Sequence, residues 1–220
     1  DRISRHRIHF CCLSQHTGKR LTEKAGKHLI NYIQSGKPTR NDFFLTVNYK
    51  GRILKAYFEE LQPDYSVSFV EESEPLGTAG SLRSLEGRYD TPFFVTNCDI
   101  LIEADYANLY KFHNKEKNDI TLVASAKEYI IPYGTCELNS NGHLSHINEK
   151  PKYDFLINTG LYILDPDILT LIPKNKFYHI THLIEDAKNR GKKVGIYPID
   201  DAAWIDVGQW AEYKKAIEKL

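Results

Sequence analysis

Residues 93–99 read Phe93-Phe94-Val95-Thr96-Asn97-Cys98-Asp99, a short apolar run that ends in a carboxylate. A strand that is apolar along its whole length is typical of a parallel sheet buried on both faces. Ligands of such sheets bind at the carboxyl ends of the strands. A carboxylate at that edge can hold Mg²⁺ against the phosphates of a nucleotide. A single aspartate after a strand is more often a turn or helix cap, so a metal site at Asp99 requires partners.

Strand and helix patterns alternate on both sides of this run. The predicted strands are 42–47, 67–70, 92–96, 120–126, 160–164 and 194–198, and the predicted helices are 27–34, 53–61, 81–85, 106–114, 180–190 and 209–220. Such alternation predicts an α/β fold, a Rossmann-like, mostly parallel sheet flanked by helices. Segments 134–138 and 143–147 flank a turn and predict a small antiparallel β-hairpin insertion. We expect one domain over residues 1–220, with 1–26 as an atypical or incomplete N-terminal loop region.

Composition restricts the class of partner. Lys plus Arg and Asp plus Glu both number 29, so there is no electrostatic argument for nucleic acid or an anionic membrane surface. No apolar run approaches the roughly 20 residues of a membrane helix, so we expect no membrane span. The four cysteines contain no CxxC pair, which argues against zinc and favours reduced thiols in the cytoplasm. Composition leaves a homo-oligomer open.

Residues 76–80 form a loop of small residues, Leu76-Gly77-Thr78-Ala79-Gly80, between a predicted strand and a predicted helix. Few Cβ atoms lie in the way, so a planar base or a phosphate could approach this backbone closely. A tight strand-to-helix turn would use the same glycines. The residues alone favour neither interpretation.

A second carboxylate, Asp206, follows a short apolar stretch within Trp204-Ile205-Asp206-Val207-Gly208. Mg²⁺ commonly takes one or two protein carboxylates together with phosphate oxygens. Asp99 and Asp206 would have to meet in space, which the sequence does not show.

Two further segments carry polar side chains, namely Glu149-Lys150-Pro151 and Asn158-Thr159-Gly160. A carboxylate or an amide can hydrogen-bond sugar hydroxyls, and a lysine can neutralise a phosphate. A charged, solvated turn is the simpler interpretation of any single lysine.

Taken together, these motifs resemble one family in order and spacing. The matching segments are Pro75–Gly80, Asn97–Asp99, Tyr133-Gly134, Glu149–Pro151, Asn158–Gly160 and Trp204–Gly208. They are similar to those of the sugar-1-phosphate nucleotidylyltransferases, with the mannose-1-phosphate and heptose-1-phosphate guanylyltransferases nearest in pattern. The resemblance runs from about Lys27 to Leu220. It implies a reaction in which a sugar 1-phosphate oxygen attacks the α-phosphorus of an NTP, GTP being favoured, and pyrophosphate leaves.

The resemblance also implies a role for each motif. The nucleotide would be held by Leu76, Gly77, Thr78, Ala79, Gly80 and Asn97, and Mg²⁺ by Asp99 and Asp206. The sugar 1-phosphate would be held by Gly134, Glu149, Lys150, Asn158, Thr159 and Gly160. The catalytic set would be Asp99, Lys150, Asp206 and Arg20, because positioning and charge neutralisation drive this transfer without a covalent nucleophile.

The N-terminal region departs from the family pattern. Members carry a glycine-rich triphosphate loop that ends in a GTRL-like signature and is followed by Pro-Lys-Pro. This chain has only Gly18-Lys19-Arg20-Leu21, with Arg20 as the remnant of the signature arginine. Either the chain has lost the loop, or loop residues are missing from the sequence. The complete absence of methionine favours the second interpretation.

Two other functions stay open at this point. A catalytically silent paralogue could bind nucleotide or sugar phosphate and regulate a partner, as the incomplete N-terminal signature suggests. A metal-dependent glycosyltransferase would also place an aspartate after a strand. The loop at Leu76–Gly80 and the Glu149-Lys150-Pro151 segment argue against the glycosyltransferase.

Overall fold

The computed structural model describes residues 9–13, 42–47, 51–62, 66–97 and 99–206. The strands are β1 His9–Leu13, β2 Asp42–Val47, β3 Ser66–Glu71, β4 Phe93–Asn97, β5 Ile100–Ile102, β6 Ile120–Ile130, β7 Thr135–Leu138, β8 Leu144–Asn148, β9 Lys152–Leu164, β10 Val194–Asp200 and β11 Trp204–Asp206. The helices are α1 Gly51–Leu61, α2 Gly77–Gly80, α3 Tyr106–Glu116 and α4 Ile180–Asn189, with 3-10 helices at Ser81–Leu85, Pro166–Leu171 and Asp201–Ala203.

Seven of these strands form one sheet in the order β10-β6-β9-β4-β1-β2-β3. Within this sheet β9 runs antiparallel to β4 and β6, and the other pairings are parallel. Two small sheets stand apart, namely the ribbon β5–β11 and the hairpin β7–β8. The predicted α/β fold with a central sheet, flanking helices and a hairpin insertion is confirmed, with β9 as the exception to parallel order.

The strand β1 was not predicted from the sequence. Regular structure was expected to start near Lys27, whereas β1 lies at His9–Leu13 between β2 and β4 in the sheet. The signal was present, because Phe10 to Leu13 is an uninterrupted apolar run. Basic and histidine-rich neighbours obscured its strand character. The predicted helices 27–34 and 209–220 lie outside the described residues.

Other boundaries also differ from prediction. The strand expected at 160–164 is the end of β9, which begins at Lys152 and pairs with β6 along both lengths. The first half of β9 contains the short apolar run Phe155-Leu156-Ile157, but these residues do not alternate with polar ones as in a half-buried strand, and most of this half is exposed. The short strands β5 and β11 were also missed, since three residues are too few to show a period.

The core lies on both faces of the sheet because neighbouring residues of a strand point to opposite faces. Phe93 and Val95 of β4 pack on one face with α4 and the 3-10 helices around Leu85 and Leu169. Phe94 packs on the other face with α3 and the β5–β11 ribbon. All three β4 side chains have no exposed surface, which is what the apolar run predicts. No helix within the described ranges is long and apolar enough to span a bilayer.

A buried histidine lies on α3. His113 is 1% exposed, and its Nδ1 lies 2.8 Å from the Thr121 hydroxyl oxygen. Burial lowers the pKa of His113 to about 4, and the nearby carboxylate of Asp119 opposes that shift without cancelling it. The neutral imidazole is therefore the form that the folded protein accommodates.

Acid is expected to destabilise the protein through this residue. The pKa of His113 in the folded chain lies below the unfolded value of about 6.5. Its contribution to stability is therefore complete above that value and is lost as the pH falls towards 4. Between pH 7.5 and pH 5 the free energy of unfolding should fall by about 2 kcal/mol on this account. Urea titration of wild type and His113→Gln should show a smaller loss in the variant, and parallel pH profiles would contradict the assignment.

Candidate active site

The carboxyl end of β4 brings the two predicted metal ligands onto one ribbon. β4 ends at Asn97, and the exposed Asp99 lies in the turn before β5. β5 pairs antiparallel with β11, and the register places Asp206 opposite Ile100, the residue after Asp99. Residues paired in this way lie about 4.5–5.5 Å apart between their Cα atoms. The backbones of Asp99 and Asp206 therefore lie near each other, although the two residues are far apart in sequence.

This donor set fits magnesium. Mg²⁺ is bound through one or two protein carboxylates and completes its shell with water and substrate phosphates. Structural zinc needs four protein ligands, usually Cys and His. Across the described ranges, no three or more His, Cys, Asp or Glu side chains are grouped to hold a metal ion. Asp99 and Asp206 are the candidate ligands for a magnesium site formed by two carboxylates.

Next to β4, the strand β9 contains a bulge formed by predicted site residues. β6 and β9 pair Val123 with Leu161 and then Ala124 with Asn158, so Thr159 and Gly160 are extra residues on β9. The buried Thr159 hydroxyl donates to the carbonyl oxygen of Val123 at 2.8 Å and so satisfies a backbone group at the bulge. Bulges of this kind redirect side chains next to functional sites.

Gly160 allows Asn97 to lie over this bulge. Gly160 has φ +88, a left-handed conformation that side chains other than glycine rarely adopt. A Cβ at Gly160 would stand only 2.6 Å from Nδ2 of Asn97. The amide of Asn97 therefore occupies the space that a larger residue would fill, and β4 and β9 meet closely at the sheet edge.

The bulge also fixes the side chain of Asn158. The backbone N–H of Gly160 donates to Oδ1 of Asn158 at 3.2 Å. Nδ2 of Asn158 donates to the hydroxyl of Tyr162 at 2.8 Å. Asn158 is exposed, whereas Tyr162 is buried, and burial raises the pKa of the Tyr162 hydroxyl. The side-chain amide of Asn158 is therefore held by Gly160 and Tyr162 while the residue itself stays exposed to solvent.

A second group of predicted residues lies around the hairpin β7–β8. A Cβ at Gly134 would stand 2.9 Å from Oε2 of Glu149, so the glycine leaves room for that carboxylate. Lys150 follows in a left-handed conformation, with φ +48, which bulky residues adopt only at a cost of order 1 kcal/mol. Both Glu149 and Lys150 are exposed and connect β8 to β9.

The predicted residues thus form three local groups. Asp99 and Asp206 lie at the same end of the β5–β11 ribbon, Asn97 meets the bulge at Asn158–Gly160, and Gly134 meets Glu149. Arg20 lies outside the described residues, so the predicted arginine has no position here.

The glycines of the loop Leu76–Gly80 allow its backbone to pack closely on a distant segment of the chain. Residues 77–80 form the single helical turn α2, and their backbone packs on Tyr178, just before α4. The N–H groups of Ala79 and Gly80 both donate to the carbonyl oxygen of Tyr178, at 2.9 and 3.1 Å. Tyr178 in turn donates its N–H to the carbonyl oxygen of Leu76 at 2.8 Å. Two of the loop amides that could have bound a phosphate are therefore used within the protein.

Thr78 ties the same loop to the start of α4. Its hydroxyl oxygen accepts the N–H of Ile180 at 2.8 Å and lies 3.4 Å from Nδ1 of His179. The Tyr178 hydroxyl donates to Asp186 of α4, and burial together with that carboxylate raises the pKa of Tyr178 to about 12. The loop is therefore fixed in place by a segment about 100 residues further along the chain.

Tyr162 and Tyr178 support the predicted site residues from within the protein, and neither was predicted from the sequence. Tyr162 lies two positions after Gly160, inside a run that only predicted a buried strand. Tyr178 lies in a segment with no periodic signal. The partner of Tyr178 is distant in sequence, so local patterns could not have identified that contact.

Comparison with known proteins identifies the family of this chain. The nucleotidyl transferase family model matches residues 10–220, so it includes all of β1 except His9, whereas the resemblance predicted from the sequence begins at about Lys27. A mannose-1-phosphate guanyltransferase of Yarrowia lipolytica is 32% identical over 76% of this chain and 48% of its own length. One from Aspergillus fumigatus is 38% identical over 60% of this chain and 38% of its own length.

Solved structures share the fold. HddC from Yersinia pseudotuberculosis matches with a TM-score of 0.69 at 23% identity, over 96% of this chain and 99% of that chain. The chain spans about half the length of the curated relatives it matches. Because the family model covers nearly the whole sequence and a relative exceeds 30% identity over three quarters of it, this chain belongs to the nucleotidyl transferase family.

Proposed function

We propose that this protein transfers a nucleotidyl group from an NTP to a sugar 1-phosphate, giving an NDP-sugar and pyrophosphate. The observation that carries the proposal is the β5–β11 register, which pairs Asp206 with Ile100, the residue after Asp99. GTP and mannose 1-phosphate are the favoured substrates, because the curated relatives are named mannose-1-phosphate guanyltransferases. We place the reaction in the cytoplasm, as expected for a chain without a CxxC or disulfide pattern.

Asp99 and Asp206 would hold Mg²⁺, which supplies positive charge to the phosphates of the nucleotide. Asp206 ends β11 and Asp99 directly precedes its partner strand β5, so the pairing of the two strands would hold both residues near each other before substrate arrives. Such preorganisation means that little reorganisation is needed when negative charge moves onto the leaving pyrophosphate. The same carboxylates define where the triphosphate lies relative to the end of β4.

The nucleotide would lie against the loop Leu76–Gly80 and Asn97. The rigid attachment of this loop to Tyr178 gives the base a fixed surface. Since the amides of Ala79 and Gly80 are used internally, we assign the loop to the base and the triphosphate to the region near Asp99. Arg20 would add positive charge to the triphosphate, as the family signature implies.

The sugar 1-phosphate would lie between the bulge and the hairpin. Asn158 and Glu149 would present an amide and a carboxylate to the sugar hydroxyls, while Gly134 and Gly160 leave room for the side chains of Glu149 and Asn97 beside them. The Thr159 hydroxyl holds the bulge through Val123 rather than facing outward. Lys150 would neutralise the sugar phosphate and align its oxygen for in-line attack on the α-phosphorus.

A substrate screen tests the proposal. Purified protein is incubated with each of four NTPs and with mannose, glucose or heptose 1-phosphate, and pyrophosphate release is followed with Mg²⁺ or with EDTA. We expect the highest kcat/KM with GTP and mannose 1-phosphate, and loss of release in EDTA. Nucleotide binding without pyrophosphate release from any pair would contradict the proposal and identify a silent paralogue. Sugar transfer from an NDP-sugar to an acceptor would identify a glycosyltransferase instead.

A further inference from the structure

Tyr162 reaches the predicted sugar-binding residue Asn158 only because of the bulge in β9. In a regular strand, residues four apart are separated by about 13 Å. Here Tyr162 pairs with Leu122 and Asn158 pairs with Ala124, so only two positions of β6 separate them. Two positions correspond to about 7 Å, which a tyrosine side chain spans. The hydroxyl consequently meets Nδ2 of Asn158 at 2.8 Å.

The two contacts of Asn158 determine which way its amide faces. The N–H of Gly160 can only donate, so the atom it meets at 3.2 Å must be the oxygen of the amide. The nitrogen must then face the Tyr162 hydroxyl. Without that hydroxyl, the amide would lose the partner of its nitrogen and could rotate about its terminal torsion, which is broad for asparagine. Tyr162 therefore completes the restraint that Gly160 begins.

The side chain of Asn158 keeps hydrogen-bonding capacity for a ligand. An amide has two donor hydrogens and an oxygen with two lone pairs. Within the described region, one hydrogen goes to Tyr162 and one lone pair accepts from Gly160. One donor and one acceptor remain on an exposed side chain, which matches a sugar hydroxyl that both donates and accepts. Tyr162 is 2% exposed, so it acts on a ligand only through Asn158.

We propose that Tyr162 is a positioning residue for the sugar 1-phosphate, whose hydroxyl fixes the amide of Asn158 in the orientation that binds a sugar hydroxyl. This inference rests on the proposed function. The ring of Tyr162 also packs in the core with Val95 and Leu164. A purely structural role would need only that ring, which phenylalanine supplies equally well. The hydroxyl is thus the group that separates the two roles.

Tyr162→Phe tests the hydroxyl alone. We expect the KM for mannose 1-phosphate to rise about five- to tenfold, as loss of one net hydrogen bond implies. The KM for GTP should stay within about twofold and kcat should change little, because the contact exists equally in the ground and transition states. Tyr89→Phe is the matched control, since Tyr89 belongs to the same core cluster but precedes β4, at the end of the strand opposite Asn97. It should leave both KM values unchanged.

A double variant shows whether the effect passes through Asn158. In an Asn158→Ala background, Tyr162→Phe should cause no further rise in the KM for mannose 1-phosphate, because coupled residues are not additive. Additive effects, an unchanged KM in Tyr162→Phe, or equal rises for both substrates would each overturn the inference.

Binding measurements separate this inference from the proposed function. Calorimetric titration of mannose 1-phosphate, with a non-hydrolysable GTP analogue present, compares Kd for wild type and Tyr162→Phe without turnover. A wild-type protein that binds but releases no pyrophosphate would overturn the proposed function, while a five- to tenfold ratio of Kd values would still support the role of Tyr162. No binding by the wild type would overturn both.

Discussion

Asp99→Asn is expected to lower the kcat for pyrophosphate release by about a thousandfold. Asparagine keeps the shape of the side chain but removes its negative charge, so Mg²⁺ loses one of its two protein carboxylates. The Mg²⁺ concentration for half-maximal rate should rise in the same variant. Steady-state assays with GTP and mannose 1-phosphate over a range of Mg²⁺ concentrations measure both effects. Asp206→Asn should behave similarly, since the two residues share one ribbon.

Asp105→Asn provides a matched control. Asp105 is the N-cap of α3, and its carboxylate accepts the N–H of Asn108 at 3.1 Å. Asparagine caps helices about as well as aspartate, so this variant should keep both activity and stability. Because residues that act as a unit are not additive, the Asp99→Asn, Asp206→Asn pair should be little worse than either single variant. Full activity in Asp99→Asn would remove the metal site from the mechanism, and lower activity with unchanged Mg²⁺ dependence would assign Asp99 another role.

Patterns of apolar and polar residues predicted those strands and helices whose own sequence carries the signal. The buried strand β4 could be recognised in the sequence, because a strand of a sheet covered on both faces is apolar throughout. The helices α1, α3 and α4 showed the expected periodicity, and the hairpin β7–β8 showed its turn. The first half of β9 showed no strand pattern in its sequence. This half is exposed, and it pairs with β6 through backbone hydrogen bonds that any side chain permits. β1 had a signal that the unusual composition around it concealed.

The site depended on contacts that no local pattern contains. Asp99 and Asp206 could each be suspected from its place after an apolar stretch, but only the β5–β11 register makes them neighbours. The polar groups of Asn158–Gly160 predicted a sugar-binding motif. The structure shows in addition that these residues form a bulge, whose geometry brings Tyr162 to Asn158. Residue types were therefore predictable from chemistry, and their arrangement was not.

The loop Leu76–Gly80 left two interpretations open, and the structure strengthens the structural one without removing the other. Close approach does explain the glycines, but the approaching groups belong to the protein, namely the backbone of Tyr178 at Gly77 and the carbonyl oxygen of Lys176 at Gly80. Whether the outer side of the loop also contacts a base stays a prediction. A substitution at Gly77 addresses both interpretations, because Gly77 is the more tightly enclosed of the two glycines in the loop.

Gly77→Ala is expected to lower the free energy of unfolding by about 3 kcal/mol. Gly77 has φ +80, which alanine adopts only with strain. A Cβ at this position would also stand 2.5 Å from the carbonyl oxygen of Tyr178 and 2.9 Å from its carbonyl carbon. These are backbone atoms held by hydrogen bonds from Ala79 and Gly80, so they cannot move aside without breaking those bonds. Urea unfolding of wild type and variant measures the loss.

Gly87→Ala separates the two causes of that loss. Gly87 has a similar φ of +74, but nothing lies within 4 Å of a Cβ built there. This control should lose only about 1 kcal/mol from backbone strain, so the remaining difference of about 2 kcal/mol reports the contact with Tyr178. Equal losses of unfolding free energy in the two variants would show that the loop can shift to accept a Cβ and that its attachment to the segment before α4 is weak. If the loop also holds the base, the KM for GTP should rise at temperatures where Gly77→Ala remains folded, and Gly87→Ala should leave it unchanged. A KM for GTP that is equal in both variants would restrict the glycines to their structural role.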